Sequence, residues 1–159
     1  TGIFFAHQYA DIEADIVTMA KGMGNGFPVG GVLIHSKIRA IKGILGSTFG
    51  GNHLACSAGI AVLETLENEK LLENALQISA YLKTELSSLS EVQNVKGKGL
   101  MLGLEFDYSI QEIRSKLVYD YHIFCGSSAN PNVLRILPPL NISKKQIQPL
   151  ITSLKEILI

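Results

Sequence analysis

Apolar residues recur at every third or fourth position in three stretches of the chain, which is the period of an α-helix. The first stretch, residues 53–67, is rich in small residues and follows Asn52, a residue suited to an N-cap. The second, residues 68–90, carries one apolar stripe. The third, residues 144–158, follows Ser143, which also suits an N-cap. The stripe of the second stretch consists of Leu71, Leu72, Ala75, Ile78, Leu82 and Leu86.

Short runs of β-branched and apolar residues predict strands elsewhere in the chain. Residues 15–20 have the apolar character of a buried strand in a parallel or mixed sheet. Residues 92–106 alternate strand residues with glycines, and we expect these glycines, Gly97, Gly99 and Gly103, to ease bends in the strand. The other predicted elements are a strand at 27–34, a short helix or loop at 36–45, a loop at 46–52, a helix at 110–121, strands at 122–125 and 133–137, and a turn at 127–132.

The predicted elements form two units. Up to about residue 66 the pattern is sheet, loops and a small-residue helix. From about residue 67 it is a helix followed by β, α, β, β and α, which is a small α+β unit. The 159 residues are 47% hydrophobic and 18% charged, so that a core can be buried and disorder is disfavoured.

The charge balance and the cysteine content argue against several classes of function. Lysine plus arginine equals aspartate plus glutamate at 14 each, and this balance provides no footprint for nucleic acid or an anionic membrane. No apolar run reaches the roughly 18 residues of a membrane span. Cys56 and Cys125 lack metal-ligand spacing and favour a reducing, cytoplasmic setting. The chain opens TGIFFAHQYADIEAD, without an initiator methionine, and we expect it to be a fragment of a longer protein.

Lys21 ends the first predicted strand and is followed by a glycine-rich segment, TMAKGMGNGFPVGG. A phosphate-binding loop requires the lysine after the glycines, and the dinucleotide fingerprint requires a different glycine spacing, so neither motif is present. A solvated surface lysine is one interpretation. Covalent chemistry is another, because an amine condenses with an aldehyde and burial lowers the pKa of a lysine toward its reactive neutral form.

Five segments together resemble the class III, fold-type I, pyridoxal-phosphate aminotransferases. They occur in that family's order and cover essentially the whole chain, as the carboxy-terminal part of a longer enzyme. Among the members of the family, the resemblance is greatest to those that use acetylornithine or succinylornithine. The segments are TGIFFAHQY, AKGMGNGFPVGG, GSTFGGNHLAC, KGKGLMLGLEF and NVLRILPPLNIS.

The resemblance implies an α/β fold. Residues 1–66 would be the carboxy-terminal part of the cofactor-binding large domain, with a mixed, mostly parallel sheet, and residues 67–159 a small α+β domain. It also implies site residues. Lys21 would form the imine with pyridoxal 5'-phosphate, and Thr48, assisted by Ser47, would reach a cofactor phosphate across a dimer interface. Arg135 would bind the substrate α-carboxylate as a bidentate fork.

The implied function is transfer of the terminal amino group of N-acetylornithine or N-succinylornithine to 2-oxoglutarate, in arginine biosynthesis, by a cytoplasmic homodimer. Ornithine δ-aminotransferase and 4-aminobutyrate aminotransferase remain alternatives. A non-catalytic interaction unit, with the 71–86 stripe as its contact face, is a remote one. The family residues that complete the cofactor site would precede Thr1, so we expect this chain alone to be inactive.

The remaining reactive side chains have ordinary structural interpretations. The histidines share no metal spacing, and we expect packed or surface roles for them. Cys56 lies in the predicted small-residue helix, where nothing nearby would produce a thiolate, and we expect a core thiol there. The histidines are His7, His35, His53 and His122.

Overall fold

The structure is a computed structural model that describes residues 1–44 and 46–158. It divides into two units. The first unit spans Phe5–Lys70, and the second combines Thr1–Phe4 with the chain from Leu71 onward. Assignment of the two regions to the large and small domains of a family fold stays a prediction.

The first unit contains a two-stranded antiparallel sheet, two 3₁₀ turns and one helix. Strand β1 (Ile16–Met19) pairs with β2 (Gly31–Ile34), and Ile16 lies opposite Ile34. The 3₁₀ turns span Ala6–Ala10 and Lys21–Gly24, and helix α1 spans His53–Asn68. The Asn52 side chain caps α1 by accepting a hydrogen bond from the amide of Ala55 at 2.9 Å, as predicted.

The predicted strands of this unit are present but are shorter and more exposed than expected. The second begins at Gly31 rather than Phe27. Ile16 is 54% exposed and Val32 is 56% exposed, which contradicts the expectation of a buried strand. The ladder is antiparallel, a pairing that the mixed-sheet alternative allows. Both strands are edge strands of a two-stranded sheet, and a sheet of that size cannot bury its own faces.

Residues between β2 and α1 have no regular structure where they are described. Residues 36–44 form turns and bends, in agreement with the loop alternative for 36–45, of which Leu45 lies outside the described residues. Residues 46–52 form the predicted loop. This loop leads directly into α1.

The second unit is a four-stranded antiparallel sheet with three helices. The helices are α2 (Leu71–Ser87), α3 (Gln111–Tyr119) and α4 (Lys144–Ile157). The strand order is β3-β4-β6-β5. The strands are β3 (Asn94–Lys98), β4 (Met101–Glu105), β5 (Gly126–Ser127) and β6 (Val133–Ile136).

The apolar stripe of α2 packs in the core of this unit, together with one face of the sheet. Leu82 and Leu86 are fully buried, as are Leu104 and Leu134 of the sheet. Leu72, at the edge of the stripe, is half-buried. Ser143 caps α4 through a capping box with Gln146, which confirms the predicted start of that helix.

The stretch 92–106 forms a hairpin of two strands rather than one. A Cβ at Gly97 would clash with the carbonyl oxygen of Met101, and Gly97 and Gly99 have φ angles of 112° and 52°. The two glycines therefore permit the reversal of direction between β3 and β4, where an L side chain would be strained.

The strand predicted at 122–125 is wrong, and β5 lies at Gly126–Ser127 instead. The amide of Ile123 donates to the carbonyl of Leu117 at 2.7 Å, and the carbonyl of Cys125 accepts from Arg114 Nε at 2.9 Å. Two of the backbone groups that a strand at this position would use are therefore bonded to α3. Ser127, which the sequence assigned to the turn 127–132, belongs to β5 and pairs with Leu134 of β6.

Candidate active site

Lys21 occupies a left-handed backbone conformation at the end of the first strand. Its φ angle is 59°, and it begins the 3₁₀ turn Lys21–Gly24 directly after Ala20, whose backbone is extended. For a residue with a Cβ this conformation costs about 1–2 kcal/mol. Such residues persist where the surrounding structure fixes them, and they are concentrated at functional sites.

Local backbone hydrogen bonds and one buried glycine fix this turn. The amide of Asn25 donates to the carbonyl of Gly22 at 3.1 Å, and the amide of Phe27 to that of Gly24 at 3.0 Å. Gly24 is buried, and a Cβ there would lie 2.6 Å from Cγ1 of Val29. The missing side chain of Gly24 therefore lets Val29 pack against the turn that carries Lys21.

The side chain of Lys21 is exposed, whereas the covalent-chemistry interpretation expected a buried amine. The turn follows an exposed strand, and its contact with α1 leaves the Lys21 side chain accessible. Within the described part of the chain, the Lys21 amine makes no hydrogen bond or ion pair. The amine is accordingly accessible to a ligand that approaches from solvent.

Ser47 and Thr48 are exposed in the loop 46–52 that precedes α1. The loop is held by Asn52, whose side-chain amide donates to the carbonyl of Phe49 at 2.9 Å. A Cβ at Gly50 would lie 3.0 Å from Cβ of Ser47. The two hydroxyls thus lie on a compact loop at the start of a 16-residue helix.

Within the first unit, the turn Lys21–Gly24 contacts α1, and the loop of Ser47 and Thr48 leads into the same helix. No hydrogen bond joins these three side chains among the residues described.

Arg135 belongs to the second unit and lies in the middle of β6. Its neighbours along the strand, Leu134 and Ile136, are buried, and Arg135 is exposed on the opposite face of the sheet. Across the sheet it pairs with Gly103 of β4 and Gly126 of β5. The guanidinium makes no hydrogen bond or ion pair in the described residues and can bind an external anion.

Two histidines have local structural contacts. His35 Nε2 lies 3.3 Å from a carboxylate oxygen of Glu13, and His35 Nδ1 accepts from the amide of Lys37 at 3.1 Å. The ring of His7 stacks on Phe5 with centroids 5.4 Å apart. Sequence reasoning missed the pair of Glu13 and His35, because β1 and β2 bring together positions that no motif connects.

The described residues show neither a cluster of metal ligands nor a membrane-spanning helix. They contain no group of three or more histidine, cysteine, aspartate or glutamate side chains arranged to hold a metal ion. Among their helices, none is long and apolar enough to cross a membrane.

Comparison with known proteins identifies the family. The profile described as Aminotransferase class-III matches residues 1–158, and the chain belongs to this family. It is 41% identical over 165 residues to the acetylornithine aminotransferase of Aquifex aeolicus, a match that covers 99% of this chain and 41% of that protein. It is 38% identical over 161 residues to the acetylornithine aminotransferase of Bacillus subtilis, covering 98% of this chain and 41% of that protein.

Solved structures agree with this result. The ornithine aminotransferase of Plasmodium yoelii is similar with a TM-score of 0.82 and 30% identity, over 99% of this chain and 44% of that one. The predicted α/β fold class is confirmed by such matches. The chain spans about two fifths of the length of the curated relatives that it matches.

The two cysteines differ in their surroundings. Cys56 is exposed, which contradicts the expectation of a core thiol, because it lies on the solvent side of α1 and Ala55 is the residue that is buried. Cys125 is buried. Burial raises the pKa of its thiol to about 11, and the nearby Arg114 guanidinium opposes this shift only in part.

Alkylation should distinguish these thiols. At pH 8 a thiol with a pKa of about 11 is only about 0.1% thiolate, the form that reacts. We expect iodoacetamide to label Cys56 at least about 100-fold faster than Cys125 in the folded chain, as measured by peptide mass spectrometry. Cys56→Ser should remove the fast label, and urea should make Cys125 reactive. Equal rates in the folded chain would contradict the described burial.

Proposed function

We propose that the complete enzyme that carries this chain is a pyridoxal-phosphate-dependent aminotransferase. It would transfer the terminal amino group of N-acetylornithine to 2-oxoglutarate, a step of arginine biosynthesis. The observation that carries the proposal is the class III family match, which runs over residues 1–158 and so includes Lys21 and Arg135. The choice of donor is supported by the names of the curated relatives, which are 35–41% identical.

The residues present fit the proposed cofactor. Lys21 offers an exposed primary amine, the group that condenses with an aldehyde. Ser47 and Thr48 offer exposed hydroxyls, which are suitable donors to a phosphate, on a loop rich in glycine. Lys21 would hold the cofactor covalently, and the two hydroxyls would bind its phosphate. When bound, pyridoxal phosphate supplies the electron sink for the reaction.

Lys21 would also move the proton. Its Nζ amine would take the proton from the substrate carbon that carries the amino group and deliver it to the cofactor carbon. A positioned acid–base group of this kind contributes roughly 10²–10⁴-fold to the rate. The left-handed backbone at Lys21 would limit the directions from which its amine approaches that carbon.

Arg135 would bind a substrate carboxylate. A guanidinium makes two parallel hydrogen bonds with a carboxylate, and Arg135 is both exposed and unpaired among the described residues. Donor and acceptor each carry an α-carboxylate, so that the same side chain would serve both halves of the reaction.

The proposed assembly is a homodimer in the cytoplasm, with the loop of Ser47 and Thr48 contributing to the partner's site. Large apolar side chains in the loop and at the start of α1 support an interface there, since Phe49 is 79% exposed and Leu54 is 72% exposed. Both cysteines are free, as is usual in a reducing compartment.

Burial of the α2 stripe in the second unit argues against the non-catalytic alternative. It required the stripe 71–86 as an exposed contact face, but Ala75, Leu82 and Leu86 are fully buried in the unit's own core. A stripe that packs inside its own unit is not available to a partner.

Removal of the Lys21 amine tests the catalytic proposal. In the complete enzyme, Lys21→Ala should lower kcat by at least about 10²–10⁴-fold, because the acid–base group is lost. Borohydride reduction of the unsubstituted enzyme should fix the pyridoxyl group on the peptide that contains Lys21. Lys42→Ala, which removes another exposed lysine of the same unit, should leave kcat unchanged. Normal turnover by Lys21→Ala would refute the proposal.

Arg135→Lys tests the carboxylate role at constant charge. A hydrogen bond to a charged group is worth about 1.5–3 kcal/mol, and an ammonium cannot reproduce the planar fork. We expect KM for 2-oxoglutarate to rise by about 10-fold or more in steady-state kinetics of the complete enzyme. Arg39→Lys, at an exposed site of the first unit, serves as the control. An unchanged KM in Arg135→Lys would remove Arg135 from the site.

The donor is tested by comparing kcat/KM for N-acetylornithine, N-succinylornithine, ornithine and 4-aminobutyrate. We expect N-acetylornithine to exceed ornithine by at least about 10-fold, because a pocket for a neutral amide disfavours the charged α-ammonium. A higher kcat/KM for ornithine than for N-acetylornithine would show that ornithine is the donor. It would leave the aminotransferase proposal intact.

A further inference from the structure

Arg135 is flanked by glycine on both neighbouring strands. In the register of the sheet it lies opposite Gly103 of β4 and opposite Gly126 of β5. Residues in one such row project from the same face of a sheet. The row continues to Lys96 of β3, whose amine is paired with Glu105 at 2.6 Å. Both cross-strand neighbours of Arg135 on this face therefore lack a side chain.

The guanidinium lies over only one of these glycines. A Cβ at Gly126 would lie 2.8 Å from Nε of Arg135, 3.2 Å from Nη2 and 3.4 Å from Cζ. A Cβ at Gly103 would instead meet Cγ1 of Val133 at 3.0 Å, and no Arg135 atom is among its close neighbours. The Arg135 side chain thus extends across β5 and uses the space that Gly126 leaves open.

The backbone of β5, over which the Arg135 side chain lies, is held in place by contacts with α3 and β6. Arg114 of α3 donates from Nε to the carbonyl of Cys125 at 2.9 Å, and its guanidinium lies 5.8 Å from the centre of the Phe124 ring. Gly126 follows directly and pairs with β6. A methyl group at position 126 would therefore displace the flexible end of Arg135 rather than β5, at little cost in stability but with a new guanidinium position.

We infer that Gly126 is a positioning residue for the substrate carboxylate. Its missing side chain lets the guanidinium of Arg135 lie across β5, and this placement sets where the carboxylate is bound. The inference rests on the proposed function, in which Arg135 binds that carboxylate. A displacement of about 1 Å in a substrate-positioning group can lower catalytic efficiency by about 10²-fold. The addition of one methyl group at position 126 is therefore enough to test the inference.

The test is Gly126→Ala in the complete enzyme loaded with pyridoxal phosphate. We expect KM for both N-acetylornithine and 2-oxoglutarate to rise by about 10-fold, while kcat changes by less than about 3-fold, because the lost interaction is one of binding. Gly103→Ala places the same methyl group on the other flank of Arg135. It should change either KM by less than about 2-fold. Equal effects of the two substitutions would overturn the inference.

A double-mutant cycle separates positioning from general damage to the sheet. If Gly126 acts through Arg135, adding Gly126→Ala to an Arg135→Ala enzyme should change KM no further. A further rise of about 10-fold in that background would contradict the inference. A fall of more than about 5 °C in the thermal unfolding temperature of Gly126→Ala would also overturn it, because the conflict would then be with the backbone.

The results for Arg135→Ala and Gly126→Ala distinguish failure of this inference from failure of the proposed function. If Arg135→Ala raises KM and Gly126→Ala does not, Arg135 binds the carboxylate without help from Gly126, and only the positioning role is lost. If Arg135→Ala leaves both KM values unchanged, the carboxylate role of Arg135 fails, and the role of Gly126 fails with it.

Discussion

Burial of alternate residues along β6 is the constraint on which the second unit and its candidate site depend. Leu134 and Ile136 enter the core with 0% and 3% exposure, and this leaves Arg135 on the open face. A slip of one residue would place a guanidinium in the core and two apolar side chains in water. The packing of α2 and α4 against the sheet therefore fixes both the register of β6 and the side of the sheet on which Arg135 can meet an anion.

The first unit positions its candidate residues differently, by local backbone geometry. Lys21 is held in a left-handed conformation by a 3₁₀ turn, and Ser47 lies on a loop fastened to α1 by Asn52. Ala55 is 8% exposed, whereas most apolar residues of α1 and the two strands remain accessible. Large exposed apolar patches mark interaction surfaces. The first unit thus exposes apolar surfaces that can accept further protein, as the proposed homodimer would require.

The features that the sequence predicted correctly are those set by neighbouring residues. The starts of α1 and α4 follow from the side chains of Asn52 and Ser143, and the buried face of α2 follows from the spacing of its apolar residues. The position of β5 could not be predicted, since the hydrogen bond from Arg114 to the carbonyl of Cys125 depends on the tertiary packing of α3. The exposure of Lys21 and Cys56 likewise depends on which elements cover them. The family resemblance implied Lys21, Ser47, Thr48 and Arg135 as site candidates, but not the register that places Gly126 beside Arg135.

Glycines near the candidate site residues share one physical role that a sequence motif does not reveal. Gly24 makes room for Val29, Gly50 makes room for Ser47, and Gly126 makes room for Arg135. In each case a Cβ would lie 3.0 Å or less from the neighbouring side chain. Glycine at a binding site also allows a ligand to approach the backbone closely. Close packing of the protein's own side chains is a second requirement, and in β5 it acts on the group proposed to bind the substrate.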